Sequence, residues 1–141
     1  MDKKQKIKII SSQYAEDDKE TIIAHTEAVV SGESDDYTIT YIETQGDSVG
    51  EKTSIHVRNG RKVSISRNAS SLASLIIIEK GIRHITHYSN SGLSFNMGIS
   101  CSELVSDFEN GRLYFRYETD MELVPIGDIE FEFIFRKTED L

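Results

Sequence analysis

From Arg112 to Glu122 the chain alternates without a break. Leu113, Phe115, Tyr117, Thr119 and Met121 occupy one phase, and Arg112, Tyr114, Arg116, Glu118, Asp120 and Glu122 the other. Successive side chains of a strand point to opposite faces, so this segment predicts a strand with one face in a core and the other in water. The last segment repeats the message, with Ile129, Phe131, Phe133 and Phe135 inward and Glu130, Glu132 and Arg136 outward; Ile134 alone breaks the pattern. Between 93 and 101, Leu93, Phe95, Met97, Ile99 and Cys101 oppose Ser94, Asn96, Gly98 and Ser100. That phase predicts a buried, inert thiol at Cys101.

The turn residues fit the same scheme. Ile55 and Val57 run up to Asn59-Gly60, and Val63 and Ile65 run away from it, which predicts a two-residue hairpin loop with positive φ at both positions. Asn110-Gly111 predicts a second turn of this kind. Lys80-Gly81, Ser91-Gly92 and Ile126-Gly127-Asp128 read as further turns, and Pro125, the only proline, leaves the ladders nearly uninterrupted. Two segments carry a helical period as well. In 17–30, Asp17 and Glu20 would make a capping box, yet Ile22, Ala24, Thr26, Ala28 and Val30 also form one face of a long strand, the preferred reading. Ser102 to Phe108 could form one or two helical turns ended by Gly111.

Up to ten strand-like runs without βαβ alternation predict an all-β class: a single antiparallel up-and-down barrel of about 8–10 strands, since closure removes exposed edges. Residues 1–141 suffice for one core and are too few for two, so one domain is expected.

Composition narrows the partners. Asp plus Glu outnumber Lys plus Arg by 24 to 16, a net charge of -8 that would repel a phosphate backbone, so no nucleic acid is expected. The longest apolar run, Leu75-Ile76-Ile77-Ile78, is far short of a helical membrane span, so no membrane partner is expected. The N-terminal residues hold no apolar stretch of signal-peptide length and the chain has one cysteine, which together point to a cytoplasmic location. His84 and His87 fall on opposite faces of a strand, and His25 and His56 lie on separate strands with no ligand pattern; neither a metal nor any other cofactor is expected. No Gly-x-Ser-x-Gly elbow and no phosphate-cradling glycine loop occurs, and Cys101 lacks a nearby positive charge that would activate it, so an enzyme ranks last among the functions.

The run Tyr37-Thr-Ile-Thr-Tyr41-Ile-Glu43, an acidic loop, Lys52-Thr-Ser-Ile-His-Val57, Val63-Ser-Ile-Ser-Arg67, Glu79-Lys-Gly81 with His84 and Tyr88, and Met97-Gly-Ile99 resembles the YwiB-like family of small bacterial β-barrel proteins. The resemblance spans nearly the whole chain and rests on strand order and polar landmarks. It implies a calycin-like barrel, the architecture of lipocalins and fatty-acid-binding proteins, in a family described mainly as uncharacterised. Ser89-Asn90-Ser91-Gly92 and Ser100-Cys101 depart from the pattern, which there suggests a Thr-Pro-Tyr-Gly-like turn and a threonine.

One polar set stands out. Glu43 continues the inward phase of Tyr37, Ile39 and Tyr41, and Arg67 that of Val63 and Ile65, each where its strand ends. Three readings stay open: both charges have reached solvent, they pair with each other or a tyrosine, or Arg67 anchors an acidic ligand. Tyr41, Glu43, Arg67, His84 and Tyr88 are the candidate ligand-binding residues, although the alternation of 83–88 does not say which of its faces is inward. Two functions follow: a binding module that takes a small amphipathic or acidic molecule in the lumen, or a protein-interaction scaffold with a filled core.

Overall fold

The computed structural model describes residues 3–44, 49–68, 73–90 and 93–135. Every regular element among them is a strand: β1 (Lys3–Ala15), β2 (Asp18–Glu33), β3 (Asp36–Ile42), β4 (Lys52–Arg58), β5 (Lys62–Asn68), β6 (Ala73–Glu79), β7 (Arg83–Asn90), β8 (Leu93–Asp107), β9 (Arg112–Met121) and β10 (Val124–Ile134). All ladders are antiparallel, in the order β6-β5-β4-β3-β2-β1-β10-β9-β8-β7. The sheet curls into a nearly closed up-and-down barrel. The terminal strands β1 and β10 pair, from Lys8↔Ile134 to Gln13↔Ile129, so the seam lies mid-chain between β6 and β7. There the ladder shrinks to the bridge Glu79↔Ile82, and further along the Thr86 hydroxyl spans the gap to the Leu75 carbonyl at 2.7 Å.

The alternation predicted for β9 holds in its interior. Leu113, Phe115, Tyr117 and Thr119 are buried, whereas Met121 has run past the core and is exposed. In β10 Phe133 is buried and Ile129 and Phe131 pack against the core, followed by buried Phe135, while Ile134 faces out. The interior packs as tilted aromatic pairs, with Phe115 against Phe131 and Phe133 at 5.7 and 6.1 Å between ring centres. Each such ring, removed from water, stabilises the fold by about 1.5–3 kcal/mol. Outside, Arg116 makes a two-pronged pair with Asp128 at 3.0 and 2.8 Å and lies over the Tyr14 ring, whose hydroxyl donates to Glu130.

Several expected local features resolve differently. Ser102 to Phe108 continues β8 and is not helical. Ser102 is an unpaired bulge between Cys101↔Tyr117 and Glu103↔Arg116, and the extra residue moves the inward phase from Ile99 and Cys101 to Leu104 and Ser106. Inward residues at 101, 104 and 108 therefore imitate helical spacing. Segment 17–30 is strand from Asp18 onward, as preferred. At Asn59-Gly60 both residues take positive φ, but the pair Arg58↔Lys62 makes the loop three residues long. Val57 and Val63 both point inward, and with period two that demands an odd loop. Asn110-Gly111 is not a two-residue turn either: Asp107↔Arg112 encloses four residues, and only Gly111 takes positive φ. Ile126-Gly127-Asp128 lies within β10 at a bulge, and the true turn is Glu122-Leu123, with φ of 50° and 71°. Ser91-Gly92, the side chains of Leu93, Phe95 and Tyr88, and Arg136 fall outside the described residues.

The two ends of the barrel differ. Where β2, β4, β6 and β8 turn, Tyr37, Phe108 and Phe135 close the interior with ring centres 4.7–5.8 Å apart, and the Tyr37 hydroxyl meets Ser106 at 2.9 Å. Gly32 lets β3 leave in this direction: its φ is 120°, and a Cβ there would sit 2.4 Å from the Asp36 carbonyl oxygen and 2.6 Å from Tyr37 Cα. Gly32→Ala is expected to cost about 1–3 kcal/mol in urea unfolding. Gly81→Asn should cost far less, because its φ of 82° suits Asn and a Cβ there meets nothing within 4 Å.

Candidate functional site

The opposite end is not filled. A cavity of about 300 Å³ opens there, walled by Ile55, Ile65, Ile76, Ile129, Phe131 and Phe133, with Ser11, Ser12, Glu20, Tyr41, Tyr117 and Arg67 among its polar lining. A second hollow of about 250 Å³, lined by Ile9, Ala24, Ile42 and Glu43, shares Ser11, Ile22, Tyr41, Arg67 and Phe131 with the first. Arg67 therefore stands where the two meet.

Strand register assembles this corner. Tyr41 pairs with Thr53 across β3 and β4, and Thr53 with Arg67 across β4 and β5, so the three form one inward row. The three-residue loop at 59–61 is what puts Arg67 opposite Thr53; a two-residue loop would have put Ser66 there. Glu43, just past β3, is held by its backbone N–H to the Glu51 carbonyl at 2.9 Å. The Thr53 hydroxyl, fully buried, donates to Glu43 Oε2 at 2.6 Å and accepts from Arg67 Nε at 3.4 Å. Arg67 Nη2 reaches Glu43 Oε2 at 3.5 Å.

Of the three readings open for Glu43 and Arg67, the pairing one is realised, but loosely. Both contacts of Arg67 lie at the outer limit of hydrogen bonding, whereas Thr53 holds Glu43 closely. Arg67 keeps 37% of its side chain accessible and Glu43 only 18%. Of five guanidinium N–H groups, two make these long contacts. Burial, seconded by the Glu43 charge and opposed by Arg67, holds the Tyr41 hydroxyl well above the usual tyrosine range. Burial pushes Tyr117 up to about 12, with Arg67 again opposing.

Sequence phase thus located Tyr41, Glu43 and Arg67, and these three meet. His84 does not join them: its Nε2 lies 3.1 Å from Glu79 Oε1 beside the β6–β7 turn. The 83–88 question also resolves, since Arg83, Ile85 and His87 are exposed while His84 and Thr86 are half-buried. Tyr88 pairs with Phe95 by backbone, and its side chain lies outside the described residues. Thr53, Tyr117, Ser11 and Ser12 were not anticipated. Thr53 carried a signal, a hydroxyl in the inward phase of Ile55 and Val57. Cys101 is buried as its phase predicted, donates to the Glu103 carbonyl at 3.1 Å, and has its thiol pushed up by burial. Among the described residues no group of His, Cys, Asp and Glu has the arrangement of a metal site.

Fold and site define a class: a ten-stranded, nearly closed antiparallel barrel, plugged by aromatic rings at one end and open to an apolar cavity with a loosely held arginine at the other. Residues 7–133 match the family described as a domain of unknown function, DUF1934, and the chain belongs to that family. The crystal structure of the ywiB protein from Bacillus subtilis is similar in fold, with a TM-score of 0.72 at 16% identity over 96% of this chain and 94% of that one. The YwiB-like resemblance read from the sequence is thereby established. No curated protein matches the chain significantly.

The raised tyrosines have a consequence at alkaline pH. A hydroxyl whose folded value exceeds its ordinary value near 10 contributes stability fully present below that pH and lost as pH rises through the folded value. Denaturant unfolding should show stability falling between pH 10 and 12, and Tyr117→Phe should fall less steeply over that window.

Proposed function

We propose that this barrel is a non-enzymatic binding module that takes one small amphipathic or acidic molecule into the open end of its lumen. The observation that carries the reading is Arg67: a guanidinium with spare donors at the rim of an apolar cavity of about 300 Å³. Small-ligand sites are mostly apolar hollows of roughly this size or larger with a few polar groups that fix orientation. Arginine's planar fork suits a carboxylate. The likeness to calycins, and a cytoplasmic location, belong to this proposal. In chemical character the polar lining orients rather than reacts: hydroxyls, an arginine and two carboxylates around an isoleucine and phenylalanine wall.

A protein-interaction role draws on a different observation. The β9–β10 tip exposes two adjacent apolar side chains, Leu123 at 73% and Val124 at 64%. The filled interior expected of a scaffold barrel is not what the open end presents.

A neutral fluorescent probe such as N-phenylnaphthylamine tests the cavity without involving charge. Its emission should rise on mixing with the protein, and Ile76→Trp, which fills the wall, should abolish the rise while the fold survives by circular dichroism. Equal enhancement by both proteins would overturn the reading. Native mass spectrometry of protein from its own cells should show a co-purifying small molecule that Arg67→Ala loses by about tenfold or more, the effect of one charge-assisted hydrogen bond.

A further inference from the structure

We infer that the head group held at Arg67 is zwitterionic, a carboxylate and an ammonium on one small apolar molecule of the α-amino-acid kind. This rests on the cavity reading above and says which acidic amphiphile the cavity would prefer.

The reasoning starts from Glu43. A ligand carboxylate seated on the Arg67 fork comes within a few ångströms of the Glu43 carboxylate, because Glu43 Oε2 is itself 3.5 Å from Arg67 Nη2. Glu43 is not placed to swing away. Its backbone is tied to Glu51, and its side chain is held by the buried Thr53 hydroxyl at 2.6 Å. Glu20 lines the larger hollow, Glu43 the smaller, and Arg67 both. The charged lining is therefore two carboxylates against one guanidinium, which repels a simple anion and repels a phosphate dianion more strongly.

A ligand that brings its own cation removes this conflict. Its carboxylate takes the spare donors of Arg67, and its ammonium faces Glu43. Thr53 and Arg67 both address Oε2 of Glu43 and the Tyr41 hydroxyl also hydrogen-bonds this carboxylate, which still leaves acceptor lone pairs on its two oxygens. An ammonium has three donors to place, and the Tyr41 and Ser11 hydroxyls line the same corner. The tail then lies along Ile55, Ile65 and Ile76, and about 300 Å³ suits an aromatic or branched side chain rather than a long acyl chain.

Three molecules with one tail separate the possibilities by titration calorimetry at neutral pH: L-phenylalanine carries both charges, hydrocinnamate the carboxylate alone, phenethylamine the ammonium alone. Phenylalanine should bind about tenfold or more tightly than either. Glu43→Gln should erase that preference by weakening phenylalanine and strengthening hydrocinnamate. Should this variant fail to fold, the ranking on the unaltered protein decides alone. Hydrocinnamate binding as tightly as phenylalanine would overturn the inference and leave the cavity reading standing. Binding of none of the three, with N-phenylnaphthylamine still responding, would also overturn it; silence from that probe too would remove the cavity reading itself.

Discussion

The fold depends on one non-local ladder, the pairing of β1 with β10. Every other ladder joins strands consecutive in sequence, so each forms through a turn or short loop. Without the Lys8–Gln13 to Ile129–Ile134 register the chain would be two meanders, β1 to β6 and β7 to β10, each with an apolar face open to water. Joining them closes a loop of more than a hundred residues, a cost that grows only slowly with length. The return is the common core, where Phe133, packed with Phe115 and Phe131 on β9 and β10, meets Tyr41 from the other meander. The outer face reinforces the join through Tyr14, Glu130 and Arg116. Exposed charge pairs are each worth under about 1 kcal/mol, so the inner aromatics dominate.

The same ladder creates the cavity. Tyr41, Ile55, Ile65 and Arg67 belong to the first meander and Tyr117, Ile129 and Phe131 to the second, so neither half encloses the space alone. Aromatic rings close the far end because Tyr37, Phe108 and Phe135 arrive there together, whereas at the near end isoleucines, Phe131 and Phe133 stand around a hollow with hydroxyl groups and Arg67. One barrel can thus be stable through its plug and hollow at its mouth. The hollow at the mouth does not compete with the packing that holds the fold.

Much of this was legible along the chain. Period-two patterning located nearly all strands, and carrying it to the strand ends picked out Glu43 and Arg67. The failures have physical causes. Bulges at Ser102 and beside Pro125 reset the alternation, and a single extra residue in β8 imitates a helix. Glu122-Leu123 turns with positive φ despite lacking Gly or Asn, because the two strands impose the geometry and the Leu123 N–H finds the Asp120 carboxylate at 3.0 Å. His84 shares a strand face with Thr86 and Tyr88, which alternation alone shows, but the splayed β6–β7 seam gives it to Glu79.

The sequence by itself determined the class of fold, the two faces of the strands whose alternation is unbroken, and which charges continue an inward phase to a strand end, because strand alternation is a local property of adjacent residues. Tertiary structure alone decided where the barrel seals, that one end is plugged and the other hollow, and that Thr53 stands between Glu43 and Arg67. Those outcomes depend on register between strands and on loop lengths counted to the residue. A shift of one position keeps each strand's pattern yet would set Ser66, and not Arg67, beside Thr53.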